Sequence, residues 1–213
     1  MISENAELMR QARESLKGKW GLAIGTFVLL FIIEIIIGVI PILGTIATLI
    51  IGGPLELGMI IFCLNIARNN RADVAQIFEG FKRFGPALVA YILVAVFTLL
   101  WMLLLIIPGI IAALAYSQTF FILADNEDIN PRAAMKQSRM MMDGFKWKFF
   151  CLECRFIGWA ILCILTLGIG FLWFMPYVTI SMTHFYEDLV RFYNEPQSAQ
   201  ASGPSVTSNP IQY

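Results

Sequence analysis

The chain has 213 residues, 58% of them hydrophobic and 14% charged, with 15 basic residues balancing 15 acidic ones. Globular chains are about half apolar and about a quarter charged, so this composition excludes an ordinary water-soluble domain, and the absence of a basic excess argues against a nucleic-acid partner. A mean hydropathy of +0.73 points instead to helices in a bilayer.

A membrane span takes about 20 mostly apolar residues. Ahead of the first such run, Met9, Ala12 and Leu16 form a short apolar stripe among Arg10, Arg13, Lys17 and Lys19. The first run is Trp20 to Ile40, and the second is Ile42 to Ala67, interrupted by Gly52-Gly53-Pro54. A polar segment follows in which Val74, Ile77, Phe78 and Phe81 keep helical spacing over Asp73 to Phe84, which predicts an amphipathic surface helix. Pro86 to Ile107 and Gly109 to Ala124 are the third and fourth runs. Asn130 is a suitable N-cap, and Pro131 suits the first position of another surface helix reaching Gly144. Phe149 to Ile169 and Phe171 to about Phe185 complete six runs. Only Pro108 separates the third from the fourth and only Gly170 the fifth from the sixth, so tight turns are expected there. The tail 195–213 is rich in Ser, Pro and Gln and is expected to be disordered.

The fold class read from this pattern is all-α: an integral membrane bundle of six transmembrane helices in three hairpins, residues 1–194, with cytoplasmic amphipathic surface helices. Apart from Arg155, every basic residue lies before the first span, between the second and third, between the fourth and fifth, or after the sixth. Basic segments stay on the cytoplasmic side, so both termini are expected there, in the inner membrane of a bacterium.

A basic and aromatic string recurs where each odd-numbered span begins. Lys17, Lys19 and Trp20 are followed by Lys82, Arg83 and Phe84, then by Lys146, Trp147 and Lys148; Leu16, Gly80 and Gly144 are spaced 64 residues apart. Such residues are suited to the membrane interface, the amines reaching lipid phosphates and the rings lying at headgroup level. The chain therefore reads as three copies of one unit, 3–68, 73–125 and 131–190: surface helix, hinge, outward span, tight turn, inward span.

Intramembrane polar groups are the candidate functional residues. Glu34 lies 14 residues past Trp20, about 21 Å into a helix. Glu56 has two registers: if Pro54 corresponds to Pro108, residues 41–52 form an extra interfacial or re-entrant piece and Glu56 lies near the outer surface; if the span starts near Thr45, Glu56 lies deep. The even-numbered spans add Asn65, Gln118, Ser181 and His184, which predicts that these spans form the inner ring. His184 is the sole histidine, so no metal site is expected. Cys151 and Cys154 form C-x-x-C at a helix start without the context of a redox domain. Nucleotide, zinc-hydrolase and serine-hydrolase motifs are absent, and neither catalytic residues nor cofactors are expected.

The run LWMLLLIIPGIIAALAYSQTFFILADN (100–126), with SRMMMDGFKWKFFCL (138–152), FIGW (156–159), LTLGIGFLW (165–173), PY (176–177), FYEDL (185–189) and the earlier IFEGFKRFGPAL (77–88), resembles the bacterial family known as domain of unknown function 975. The chain departs from that pattern at Phe145, Glu153 and Arg155. The resemblance implies a multi-pass bacterial membrane protein without an established activity. Two functions are weighed: a non-catalytic scaffold or accessory protein, whose surface helices meet anionic lipid, a membrane-protein partner or another copy of itself; and a small-solute or ion conduit using Glu34 or Glu56.

Overall fold

The computed structural model describes residues 2–39, 41–166 and 168–194; the tail 195–213 lies outside them. Among the described residues all regular structure is helical: α1 (Asn5–Ser15), α2 (Trp20–Gly38), α3 (Pro41–Ala67), a 3-10 helix (Val74–Arg83) running directly into α4 (Phe84–Leu104), α5 (Ile106–Tyr116), α6 (Thr119–Asp125), α7 (Pro131–Met141), α8 (Lys146–Leu165) and α9 (Phe171–Asn194). Local chemistry sets several starts. The Asp73 carboxylate accepts from the Ala75 amide at 3.0 Å while Gln76 accepts from the Asp73 amide at 3.3 Å, a reciprocal cap on the 3-10 helix. Asn130 caps α7 by accepting from the Arg132 amide at 3.0 Å, with Pro131 at the first position.

Four stretches are long and apolar enough to cross a membrane: Trp20–Gly38, Gly44–Ala67, Val74–Leu104 and Ile106–Asp125. In α8 the charges of Lys148, Glu153 and Arg155, and in α9 those of Glu187 and Asp188, interrupt the apolar sequence. The second and fourth stretches are 44% and 61% buried, against 17% and 11% for the first and third. The expected inner position therefore holds for these two, and α9 joins them through a core in which Leu57, Leu64, Phe121, Phe185 and Tyr186 meet. The rings of Phe121 and Tyr186 stack at 5.1 Å, and Phe149 of α8 lies 4.9 Å from Phe185. The outer helices turn Phe31, Ile36, Leu99 and Leu103 outward, which suits a hydrocarbon surround.

Two expected turns are placed differently. Pro108 is not the turn: α4 ends at Leu104, Leu105 alone is extended, and Pro108 sits inside the first turn of α5, where its missing N–H has no helical acceptor to lose. Residues 41–52 are not a separate interfacial piece either. α3 runs unbroken from Pro41, with Pro54 inside it, because Gly52 and Gly53 admit Tyr91 and Ala87 of α4 against its side and the 3-10 helix supports the proline turn. The glycines at the turns between α2 and α3, α4 and α5, and α8 and α9 are Gly44 against Ile37, Gly109 against Met102 and Gly170 against Cys163, spaced 65 and 61 residues apart.

The 3-10 helix packs closely on α3. A Cβ on Gly80 would fall inside contact distance of the Pro54 carbonyl oxygen and 2.8 Å from the Gly58 nitrogen, and one on Gly58 would collide with the Ile77 carbonyl. Backbone therefore rests on backbone where this helix crosses α3. Two other short helices pack on the long ones: α1 on α9, and α7 on α5 and α6. Ser15 shares a 3.0 Å hydrogen bond with Nε2 of His184. Ser138 donates to the Ala115 carbonyl at 2.8 Å and accepts from the Gln118 amide at 3.1 Å, bridging the break between α5 and α6. Ser138→Ala leaves that buried amide unpaired and is expected to cost about 1–3 kcal/mol, read as lower resistance to thermal unfolding in detergent.

Candidate functional site

α2, α3 and α4 border a partly open cavity of about 220 Å³. α2 contributes Glu34, α3 contributes Thr48 and Glu56, and α4 contributes Tyr91; Leu55 and Met59 make part of its apolar wall. Tyr91 is held there because Gly52 has no side chain: a Cβ would stand 3.3 Å from the ring. Neither carboxylate makes a hydrogen bond or ion pair among the described residues, and no Lys, Arg or His lines the cavity. Both lie within electrostatic reach of the Tyr91 phenol. A wider crevice of about 430 Å³ adjoins it, sharing Thr48 and Tyr91 and bordered by Gly38, Gly44 and Leu49 at the turn between α2 and α3.

The structure thus brings Glu34 and Glu56 together and separates them from the other candidates. Asn65 accepts from the Asn70 side chain at 3.4 Å at the end of α3. Gln118 is buried at the α5–α6 break, bonded to Ser117 at 2.9 Å with its Oε1 unpaired. Ser181 donates back to the Tyr177 carbonyl at 2.8 Å, and His184 meets Ser15. Only His184 ties two helices together; the other three bond locally, and none of the four lines the cavity. Thr48 and Tyr91 belong to the site but were not singled out by sequence; each is an ordinary span residue until α3 is known to be unbroken.

The hinge residues divide as well. Arg83 donates to the carbonyls of Leu123 and Asn126, the latter at 3.1 Å, a cation placed on the C-terminus of α6. Lys148 donates to the Ile2 carbonyl at 3.0 Å, and Lys146 pairs with Asp143 at 3.2 Å. Lys17, Lys82, Phe84 and Trp147 are exposed, whereas Lys19 and Trp20 are half-buried. The expected glycine correspondence shifts: Gly18 and Gly144 take the left-handed conformation that ends α1 and α7, whereas Gly80 is pressed against α3.

A second polar cluster joins the ends of the inner helices. Arg68, just past α3, pairs with Asp125 of α6 and Glu187 of α9, each at 2.7 Å, and the Tyr186 hydroxyl donates to Asp125 at 2.9 Å. The hydrogen bond it donates to Asp125 is the main influence holding the Arg68 guanidinium above its ordinary pKa, against the desolvation that would lower it.

Long apolar helices packed around a polar-linked centre define the class: an all-helical membrane protein. The chain belongs to the family described as protein of unknown function (DUF975), whose pattern matches residues 1–109 and again 102–192. No curated protein and no solved structure matches it.

Proposed function

We propose that the chain is a six-span protein of the bacterial inner membrane, three helical hairpins in a pseudo-threefold ring with both termini cytoplasmic, acting as a non-catalytic scaffold or accessory protein. The observation that carries this reading is the cyclic order of packing. The surface helix and first span of each unit rest on the inward span of the unit before: α1 and α2 on α9, the 3-10 helix and α4 on α3, α7 and α8 on α5. With Arg68 joining the ends of α3, α6 and α9, the cytoplasmic face becomes one interlocked platform. A tagged chain extracted in mild detergent is expected to arrive with a membrane-protein partner or as a homo-oligomer; consistent recovery as a lone monomer counts against the role.

The platform also carries a basic stripe. Arg132, Lys136 and Arg139 lie at i, i+4 and i+7 on the exposed face of α7, opposite buried Ala134, Ser138 and Met141. Each basic residue near an anionic surface contributes about 1 kcal/mol. Replacing all three by Gln is expected to lower the fraction of spin-labelled phosphatidylglycerol immobilised by the protein, with phosphatidylcholine unchanged.

A second reading, a small-solute or ion conduit, rests on Glu34 and Glu56 sharing a cavity. Its test is Glu34→Cys in a chain without native cysteines, challenged from outside with an impermeant thiol reagent: labelling supports water access from that side, and silence in folded protein removes this support.

A further inference from the structure

The cavity on which the conduit reading rests carries an inference of its own, which needs no passage through the membrane. At one end it opens through Thr48 and Tyr91 into the crevice at the α2–α3 turn, away from the basic segments. Beyond Glu56 the 3-10 helix crosses α3, with Gly58 against Ile77 and Gly80 against Pro54 leaving no gap. It is therefore a recess floored by that crossing. There the half-buried Glu56 carboxyl has no partner among the described residues, and Glu34, on the exposed side of α2, faces the same space. A carboxylate in such surroundings requires a proton or a cation.

The walls discriminate among cations. Calcium takes six to eight oxygen ligands and magnesium a near-octahedral set, whereas this recess offers two carboxylates and the hydroxyls of Thr48 and Tyr91 against apolar Leu55 and Met59. Among the described residues no group of three or more acidic, histidine or cysteine side chains could hold a metal ion. An ammonium group on an apolar body matches all the surfaces: charge and N–H donors for the carboxylates, a cation for the Tyr91 ring, and hydrocarbon for the remaining wall. A volume of about 220 Å³ is below that of a typical drug-sized pocket and suits a small amine.

We propose that the recess between α2, α3 and α4 binds a small organic ammonium ion, held between Glu34 and Glu56 with its apolar part against Leu55, Met59 and the Tyr91 ring. The site is independent of the scaffold role, and either can fail without the other. The test uses the full chain in nanodiscs, phenethylammonium as probe and 2-phenylethanol as its uncharged counterpart. Calorimetry is expected to show saturable binding of the amine alone, undiminished when sodium is exchanged for potassium at constant ionic strength. Glu56→Gln and Glu34→Gln, each confirmed monodisperse, are expected to weaken it about thirtyfold. On the unmodified chain, phenethylammonium is expected to protect both glutamates from dicyclohexylcarbodiimide, with the modified residues located by mass spectrometry. Absence of saturable binding, equal binding of 2-phenylethanol, displacement by either alkali ion at concentrations comparable to the probe, or unchanged affinity in a folded Glu56→Gln chain would each overturn the assignment.

Discussion

Gly80→Ala is expected to leave little folded protein in the membrane. The added methyl group has nowhere to go, since its neighbours are the Pro54 carbonyl and the Gly58 nitrogen, both backbone, and no rotamer change can clear them. Overpacking a core costs typically 1–3 kcal/mol when side chains can shift; here α3 and the 3-10 helix must separate, so about 3 kcal/mol or more is expected. Separation would also withdraw Ile77 from the cluster it shares with Leu30 and Leu55, and so open the floor of the Glu34–Glu56 recess. Gly58→Ala meets the Ile77 carbonyl and should behave alike. Gly85→Ala is the control: nothing lies within 4 Å of the added carbon, and alanine gains about 1 kcal/mol of helix propensity over glycine. Membrane yield, monodispersity and unfolding in detergent mixtures measure all three. A Gly80→Ala chain as stable as the Gly85→Ala chain would mean that the crossing is not a backbone contact.

That crossing shows what the sequence could and could not disclose. Apolar spacing correctly marked a helix over Asp73 to Phe84, but assumed 3.6 residues per turn. The segment is a 3-10 helix, with three residues per turn, so positions three apart align. Val74, Ile77 and Gly80 consequently fall on one side, with Ile77 and Gly80 buried against α3, while Phe78, Phe81 and Phe84 succeed one another at 6.3 and 6.4 Å along another. The predicted single stripe was two stripes merged, and the glycine taken as part of a hinge was a contact surface. Polar side chains marked the inner helices well, because hydrocarbon penalises an outward hydroxyl. Their use was not legible: Ser181 and Thr183 each bond a carbonyl one turn back at 2.8 Å in their own helix and line no path.

The pairing of Glu34 with Glu56 depended on register. With residues 41–52 set aside as a separate piece, Glu56 would lie near the outer surface. An unbroken α3 starting immediately after the turn carries Glu56 inward until it shares a cavity with Glu34. Proline and glycine in sequence were read as a break, whereas packing from α4 and the 3-10 helix retains the helix through them; tertiary contacts overrode the local signal.

Arg68→Met is expected to destabilise the chain by about 2–3 kcal/mol. In sequence Arg68 is one of several basic residues ending a span; in the fold it contacts both α6 and α9. The side chains of Asp125 and Glu187 are only 12% and 16% exposed, so removing their cation strands two enclosed carboxylates. Breaking a fully buried pair costs about 3–5 kcal/mol, but the Arg68 side chain is 36% exposed and water screens part of the interaction, hence the lower figure. The guanidinium is raised above its ordinary pKa, so its contribution is fully present below that ordinary value and would be lost only at more alkaline pH than membranes tolerate. Arg68→Lys keeps the charge but cannot span both acids with a planar fork, and is expected to recover less than half of the loss. Asp125→Asn in the Arg68→Met background should restore part of it by removing one stranded charge, a coupling that a double-mutant cycle reads directly. If the single substitutions simply add, α3, α6 and α9 are held by their apolar contacts alone, and the ion pairs only decorate a core that Phe121, Tyr186 and Phe185 already close.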